Sequence, residues 1–335
     1  MLVANVLFGQ AWCGLLCPDG VLTELAGRWS RRAKIPRALR WPGWIMLGFA
    51  ATILAVHATD ATHNAKASFL ILGALSTGAV TIGALFGRGR RVWCRYLCPV
   101  SVVFGMLARC APIHFRVDRA AWDGAPRRLR KRVECPVLID IRSMRGAAGC
   151  HMCGRCSGHR DAVVLTVRRP WDEMLMRADA PALRREAALL VFGLFGLVPA
   201  TLLAASSWKA FVFQFILQLA VAMLLGTLVV TAAQISKTSA LRLTQTLAPV
   251  ACAGLVALVL KTSFTGIDGS LNRVIALAAC VLIACALALS GELARRMIPH
   301  MPDRGRWRYL MAISLSWGAA AAGAGTFVYD VFALS

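Results

Sequence analysis

Charge is scarce in this chain: 16% of its 335 residues are Asp, Glu, Lys or Arg, and tyrosine occurs only three times. With 58% apolar residues and a mean hydropathy of +0.63, it is too apolar for an ordinary soluble domain of this length. Acidic residues are especially few, 16 against 38 basic ones, which leaves a net charge of +22. Neither a dinucleotide-binding glycine fingerprint nor a P-loop occurs, so nucleotide chemistry has no support. No basic stretch follows Met1 and no small-residue cleavage site precedes Trp12, so a cleavable signal peptide is not expected.

What fills the chain instead is apolar runs. Segments 43–59, 67–86, 187–207, 210–233, 245–261, 273–290 and 309–329 approach the roughly 20 residues that cross a bilayer, which predicts about seven membrane helices. The run at 1–9 is too short to span alone. Its "VLFG" (6–9) matches the "ALFG" (84–87) that ends a full-length run, so residues 1–9 read as the tail of a membrane helix begun upstream or supplied by a partner.

The basic residues sort by loop. Segments 18–42, 87–186, 234–244 and 291–309 hold 34 of the 38 Lys and Arg, while Lys66, Lys209, Lys261 and Arg273 are the only four in the alternate connections. Because cationic loops stay on the cytoplasmic side, a multi-pass topology in a bacterial inner membrane follows, with the C-terminus outside. On this basis "RRLRKR" (127–132) is a juxtamembrane patch facing anionic membrane lipids, and no nucleic-acid partner is expected.

Cysteine is abundant: twelve residues, most of them clustered. "WCGLLCP" (12–18) returns as "WCRYLCP" (93–99), an offset of 81 that also aligns Val21 with Val102 and Arg28 with Arg109. Proline suits the first helical turn, so Cys17 and Cys98 are expected at helix N-termini, where the dipole favours thiolate. Two such corners can bring Cys13, Cys17, Cys94 and Cys98 together. Four thiolates repel one another unless a cation joins them, so these four are candidate metal ligands; redox disulfides and a transient copper site are the alternatives.

A third cluster, "CHMCGRC", spaces Cys150, Cys153 and Cys156 as C-x2-C-x2-C, the opening of the bacterial [4Fe–4S] ferredoxin run. The usual fourth cysteine is replaced by Arg160. Cys135, in "ECP", carries the proline that follows a ferredoxin ligand and is assigned as the fourth, with Cys110 in reserve. A zinc site drawing on His151 or His159 is the competing reading; zinc knuckles are normally paired C-x2-C units further apart. Two [4Fe–4S] clusters are therefore expected. Trp12 and Trp93 read as interfacial anchors, Arg95 as a charge near thiolate or head groups, and Cys252, Cys280 and Cys285 as small membrane residues. His57 and His63 do not make a clear axial pair for haem.

These motifs resemble the polyferredoxin-type membrane 4Fe–4S proteins, with their NapH-like, NosR-type and CcoG-type branches. The resemblance covers about residues 1–170 and rests on "WCGLLCP" and "WCRYLCP". It implies 4Fe–4S clusters that pass electrons between the quinone pool or a cytoplasmic donor and a respiratory partner subunit, as in a quinol dehydrogenase-type oxidoreductase; the alternative is a copper-reducing or metal-handling assembly factor. The expected architecture is an all-α polytopic membrane protein with a small cytoplasmic ferredoxin-like iron–sulfur insertion. Its parts are a membrane region at 1–109, an iron–sulfur domain at 110–186 and a helical region at 187–335.

Overall fold

The computed structural model describes residues 2–31, 33–61, 64–126, 133–144, 146–169, 172–175, 180–199, 208–263, 269–299 and 305–333. Met1, His63 and the basic run 127–132 lie outside them. The chain forms two compact units, Met1–Met176 and Arg177–Ser335.

In the first unit, α1 (Leu2–Phe8) leads to a π-helical turn at Trp12–Leu16 and then α2 (Pro18–Arg28). The helices α3 (Gly43–Ala58) and α4 (Ala65–Phe86) follow, and then α5 (Val92–Tyr96) and α6 (Ser101–Ala108) carry the second motif. Helix α4 has an Asn64 cap whose side chain accepts the N–H groups of Lys66 and Ala67 at 3.1 and 3.3 Å. It lies backbone-to-backbone on α2. A Cβ on Gly83 would come 2.4 Å from the Thr23 carbonyl oxygen, so only glycine lets the two helices approach this closely. Past α4 the Gly89 N–H donates to the Gly27 carbonyl at 2.9 Å, and Ser76 donates to Asp19 at 2.6 Å, pinning the start of α2.

The insertion is not wholly helical. Strands β1 (Ile113–Val117) and β2 (Val163–Val167) pair antiparallel, with Phe115 opposite Leu165. Phe115, Ile141 and Val163 form a core against which Cys135, Cys150, Met152 and Cys156 pack. A buried ion pair ties the insertion together: Arg168 meets Glu173 at 2.6 Å, and Glu173 accepts the N–H groups of Ala147 and Ala148 at 2.6 and 3.1 Å. Arg168 also donates to the carbonyl of Ala111 at 3.0 Å, which joins the start of β1 to the loop that leads into Cys150.

Among the described residues five helices are long and apolar enough to cross a membrane: Ala65–Phe86, Trp208–Ser236, Ala240–Lys261, Asn272–Met297 and Arg306–Tyr329. Of the other two expected spans, 43–59 forms the 16-residue α3, and 187–207 is described only as far as 199. In the second unit Phe195 packs on Phe327 at 5.6 Å. This unit buries more polar side chains than its apolar sequence suggests: Gln245 donates to Glu186 at 2.8 Å, and Lys261, 1% exposed, donates to Asn272 at 3.0 Å.

Candidate metal centres

The structure brings the two corners of the repeat together. Cys13 lies close enough to Cys17 and Cys98 to feel their charge, and Cys94 feels Cys98, Cys17 and Cys13. Burial first, and then the neighbouring sulfurs, raise the thiol pKa of Cys13 and Cys94; burial lifts Cys98 to about 12. Neutral thiols are what such a site holds on its own, and a metal cation reverses that balance.

The two corners differ in detail. Cys17 is the N-cap of α2 with Pro18 at its first turn, as the proline implies. Cys98 stands three residues ahead of α6, because Pro99 and Val100 form a turn before the helix begins at Ser101. The turn still serves the sulfur, since the backbone N–H groups of Val100 and Ser101 hydrogen-bond to Cys98 and favour its thiolate. Trp12 and Trp93 are half-buried; among the described residues neither indole N–H has a hydrogen-bond partner, and Gly78 makes room for the Trp93 ring.

The second group also assembles. Cys150 feels Cys156, Cys135 and Cys153, and Cys156 feels Cys153 and Cys135; one pocket is lined by all four together with His151 and Arg155. Burial pushes the Cys150 thiol up to about 12, while the Met152 N–H donates to its sulfur at 3.4 Å. Burial, then the charges of Arg91 and Arg95, lower His151 to about 4, so its ring is neutral. Cys110 is placed elsewhere. It is half-buried beside Glu173, Arg168 and Arg109, with desolvation driving its thiol to about 12, and Cys135 is the one that lines the pocket with Cys150, Cys153 and Cys156.

All twelve cysteines are free thiols. Among the described residues no group of three or more His, Cys, Asp or Glu side chains is placed closely enough to hold a metal ion. A [4Fe–4S] cube takes four thiolates that receive backbone N–H groups; each group here offers four sulfurs, and neighbouring backbone N–H groups reach Cys98 in the first and Cys150 in the second.

The groups are neighbours. A Cβ on Gly14 would stand 1.8 Å from the His151 carbonyl oxygen, so the residue after Cys13 touches the residue after Cys150. Gln10 donates to the Ala148 carbonyl at 2.6 Å along the same seam. What the sequence reading missed is the charge between them: Arg91, Glu24 and Arg155. Glu24 is paired with both arginines, at 3.0 Å to Arg91. The available signal was an acid placed inside the apolar "VLTELAG", where a charge is costly without a partner.

Residues 1–36 and 69–119 match a 4Fe–4S binding domain family, a match that takes in both C-x3-C-P corners. The chain is 26% identical over 199 residues to YccM of Escherichia coli, a protein provisionally named for electron transport, covering 50% of this chain and 54% of YccM. It is 26% identical over 174 residues to the ferredoxin-type protein NapH of Haemophilus influenzae, covering 45% of this chain and 59% of NapH. The chain thus spans little more than half the length of either relative. No solved structure matches it. The comparisons agree with the twin corners: the part of the chain that carries them is similar to a 4Fe–4S binding domain, and about half of the chain is similar to YccM and to NapH.

Proposed function

We propose that the protein is a membrane-bound electron relay with two [4Fe–4S] clusters, one held by Cys13, Cys17, Cys94 and Cys98 and the other by Cys135, Cys150, Cys153 and Cys156. The observation that carries this reading is the assembly of eight thiols into two adjoining groups of four. A bound cluster supplies one-electron chemistry at each position; the protein holds the two close together and buries Cys13 and Cys94 of the first. The placement of the basic loops supports an inner-membrane location with the cysteines on the cytoplasmic side. Quinol or a cytoplasmic donor at one end and a respiratory partner subunit at the other are the expected exchange partners, in keeping with a relative named for electron transport.

Anaerobic purification tests this. Brown protein absorbing broadly near about 400 nm, bleached by dithionite and by a quinol analogue, is the expected result. Colourless protein carrying stoichiometric zinc rejects it.

A further inference from the structure

Three charged residues lie where segments of the two four-cysteine groups meet. Arg91, 4% exposed, donates through Nη1 to the Cys13 carbonyl at 2.7 Å, through Nη2 to the Gly14 carbonyl at 3.0 Å and through Nε to Glu24 Oε2 at 3.0 Å. Its backbone N–H donates to the carbonyl of Pro136, next to Cys135, at 2.7 Å, and three residues later in the chain comes Cys94. Glu24, 7% exposed, uses its other oxygen to accept from Arg155, which lies between Cys153 and Cys156. Three side chains thus tie both corners of the repeat to both parts of the second group.

We propose that Arg91 is the positioning and charge-setting residue of the twin-motif centre, and that the Arg91–Glu24–Arg155 clasp fixes its distance from the second centre; this rests on the two-cluster reading above. A buried ion pair adds little net stability, because desolvation offsets the attraction, so stability alone is a weak reason for this triad. Its location offers a better one. Adding an electron to a thiolate-held centre adds negative charge, and a buried guanidinium beside that centre favours the reduced state. The Arg91 charge also opposes the rise in the Cys13 and Cys94 pKa values. Glu24 acts with the opposite sign. Its carboxyl sits below its ordinary pKa, since the hydrogen bonds from Arg155 and Arg91 outweigh the burial that would raise it. Arginine suits the place because its planar fork reaches two carbonyls and a carboxylate at once, which the single ammonium of lysine cannot do.

The test is a potentiometric EPR titration of the purified chain, following the signal that Cys94→Ser abolishes, with iron content measured in parallel. Arg91→Gln is expected to shift that midpoint down and Glu24→Gln to shift it up, both by more than they move the signal that Cys150→Ser abolishes. Arg91→Lys, keeping the charge but losing the fork, is expected to hold the midpoint near wild type while lowering iron retention at that centre. Should Arg91→Gln fail to fold or load iron, Glu24→Gln decides: an unmoved or lowered midpoint in Glu24→Gln overturns the proposal. Shifts of the same sign in both variants overturn it as well. Wild-type protein without any iron–sulfur signal would instead sink the two-cluster reading beneath it.

Discussion

The two four-cysteine groups reach similar donor sets by different means. Cys13 lies in a π-helical turn, Cys17 caps α2, Cys94 lies within the short α5 and Cys98 in the turn before α6, and glycine contacts between α2 and α4 set the surrounding frame. Cys135, Cys150, Cys153 and Cys156 sit on loops over a two-stranded sheet, with their positions set by the Arg168–Glu173 pair and backbone hydrogen bonds. The first centre therefore depends on helix packing and the second on buried polar anchors. Burial also differs in part: Cys13 and Cys94 are buried, whereas Cys17, Cys98 and all four cysteines of the second group are partly open, the second group lining a pocket. Since solvent exposure helps to set cluster potentials, the two centres are expected to titrate apart.

Ligand removal is the strongest way to break this comparison. Cys94→Ser is expected to remove about four of about eight irons per chain and leave the Cys150 signal, and Cys150→Ser to do the reverse; either variant losing all its iron would mean one shared site. Glu173→Gln comes next. It leaves Arg168 buried with its charge uncompensated, for a loss of about 3–5 kcal/mol in unfolding of the first unit and earlier iron loss from the Cys150 centre. Gly83→Ala should do the opposite, costing about 1–3 kcal/mol by overpacking against Thr23 and loosening the Cys94 centre first. Chemical denaturation in detergent, followed by the two EPR signals, checks both. The smallest effect is expected from Arg142→Ala: its pair with Asp123, at 2.9 Å, is more than half exposed on both sides, so its loss should cost less than about 1 kcal/mol.

Much of this was legible because ligand spacing is local. The twin "WC-x3-CP" phrase announced a pair of corners, and "CHMCGRC" with "ECP" announced a second set; the thiols of each group lie near enough to feel one another's charge, and their role as cluster ligands is the proposal made above. The family match takes in the twin corners, the less ferredoxin-like of the two sets, and not residues 135–156. Apolar runs located the long helices, but a run cannot say whether it stays helical to the end, and α3 stops at 16 residues. The strands escaped notice because "IHFRV" and "VVLTV" are five residues each and pair across some fifty positions, a non-local contact with no local mark. Pro99 misled in a similar way: proline fits a first helical turn, yet here it opens a tight turn whose N–H groups serve Cys98. Arg91 was one arginine among many in a basic segment, and only the fold shows it donating to Cys13 and Gly14, 78 and 77 positions away.

The most direct test of the account is iron and acid-labile sulfide per chain in anaerobically purified protein, combined with EPR of the fully reduced state. Two adjoining cages predict about eight of each and two signals broadened by mutual magnetic coupling. About four irons with one narrow, uncoupled signal would contradict it.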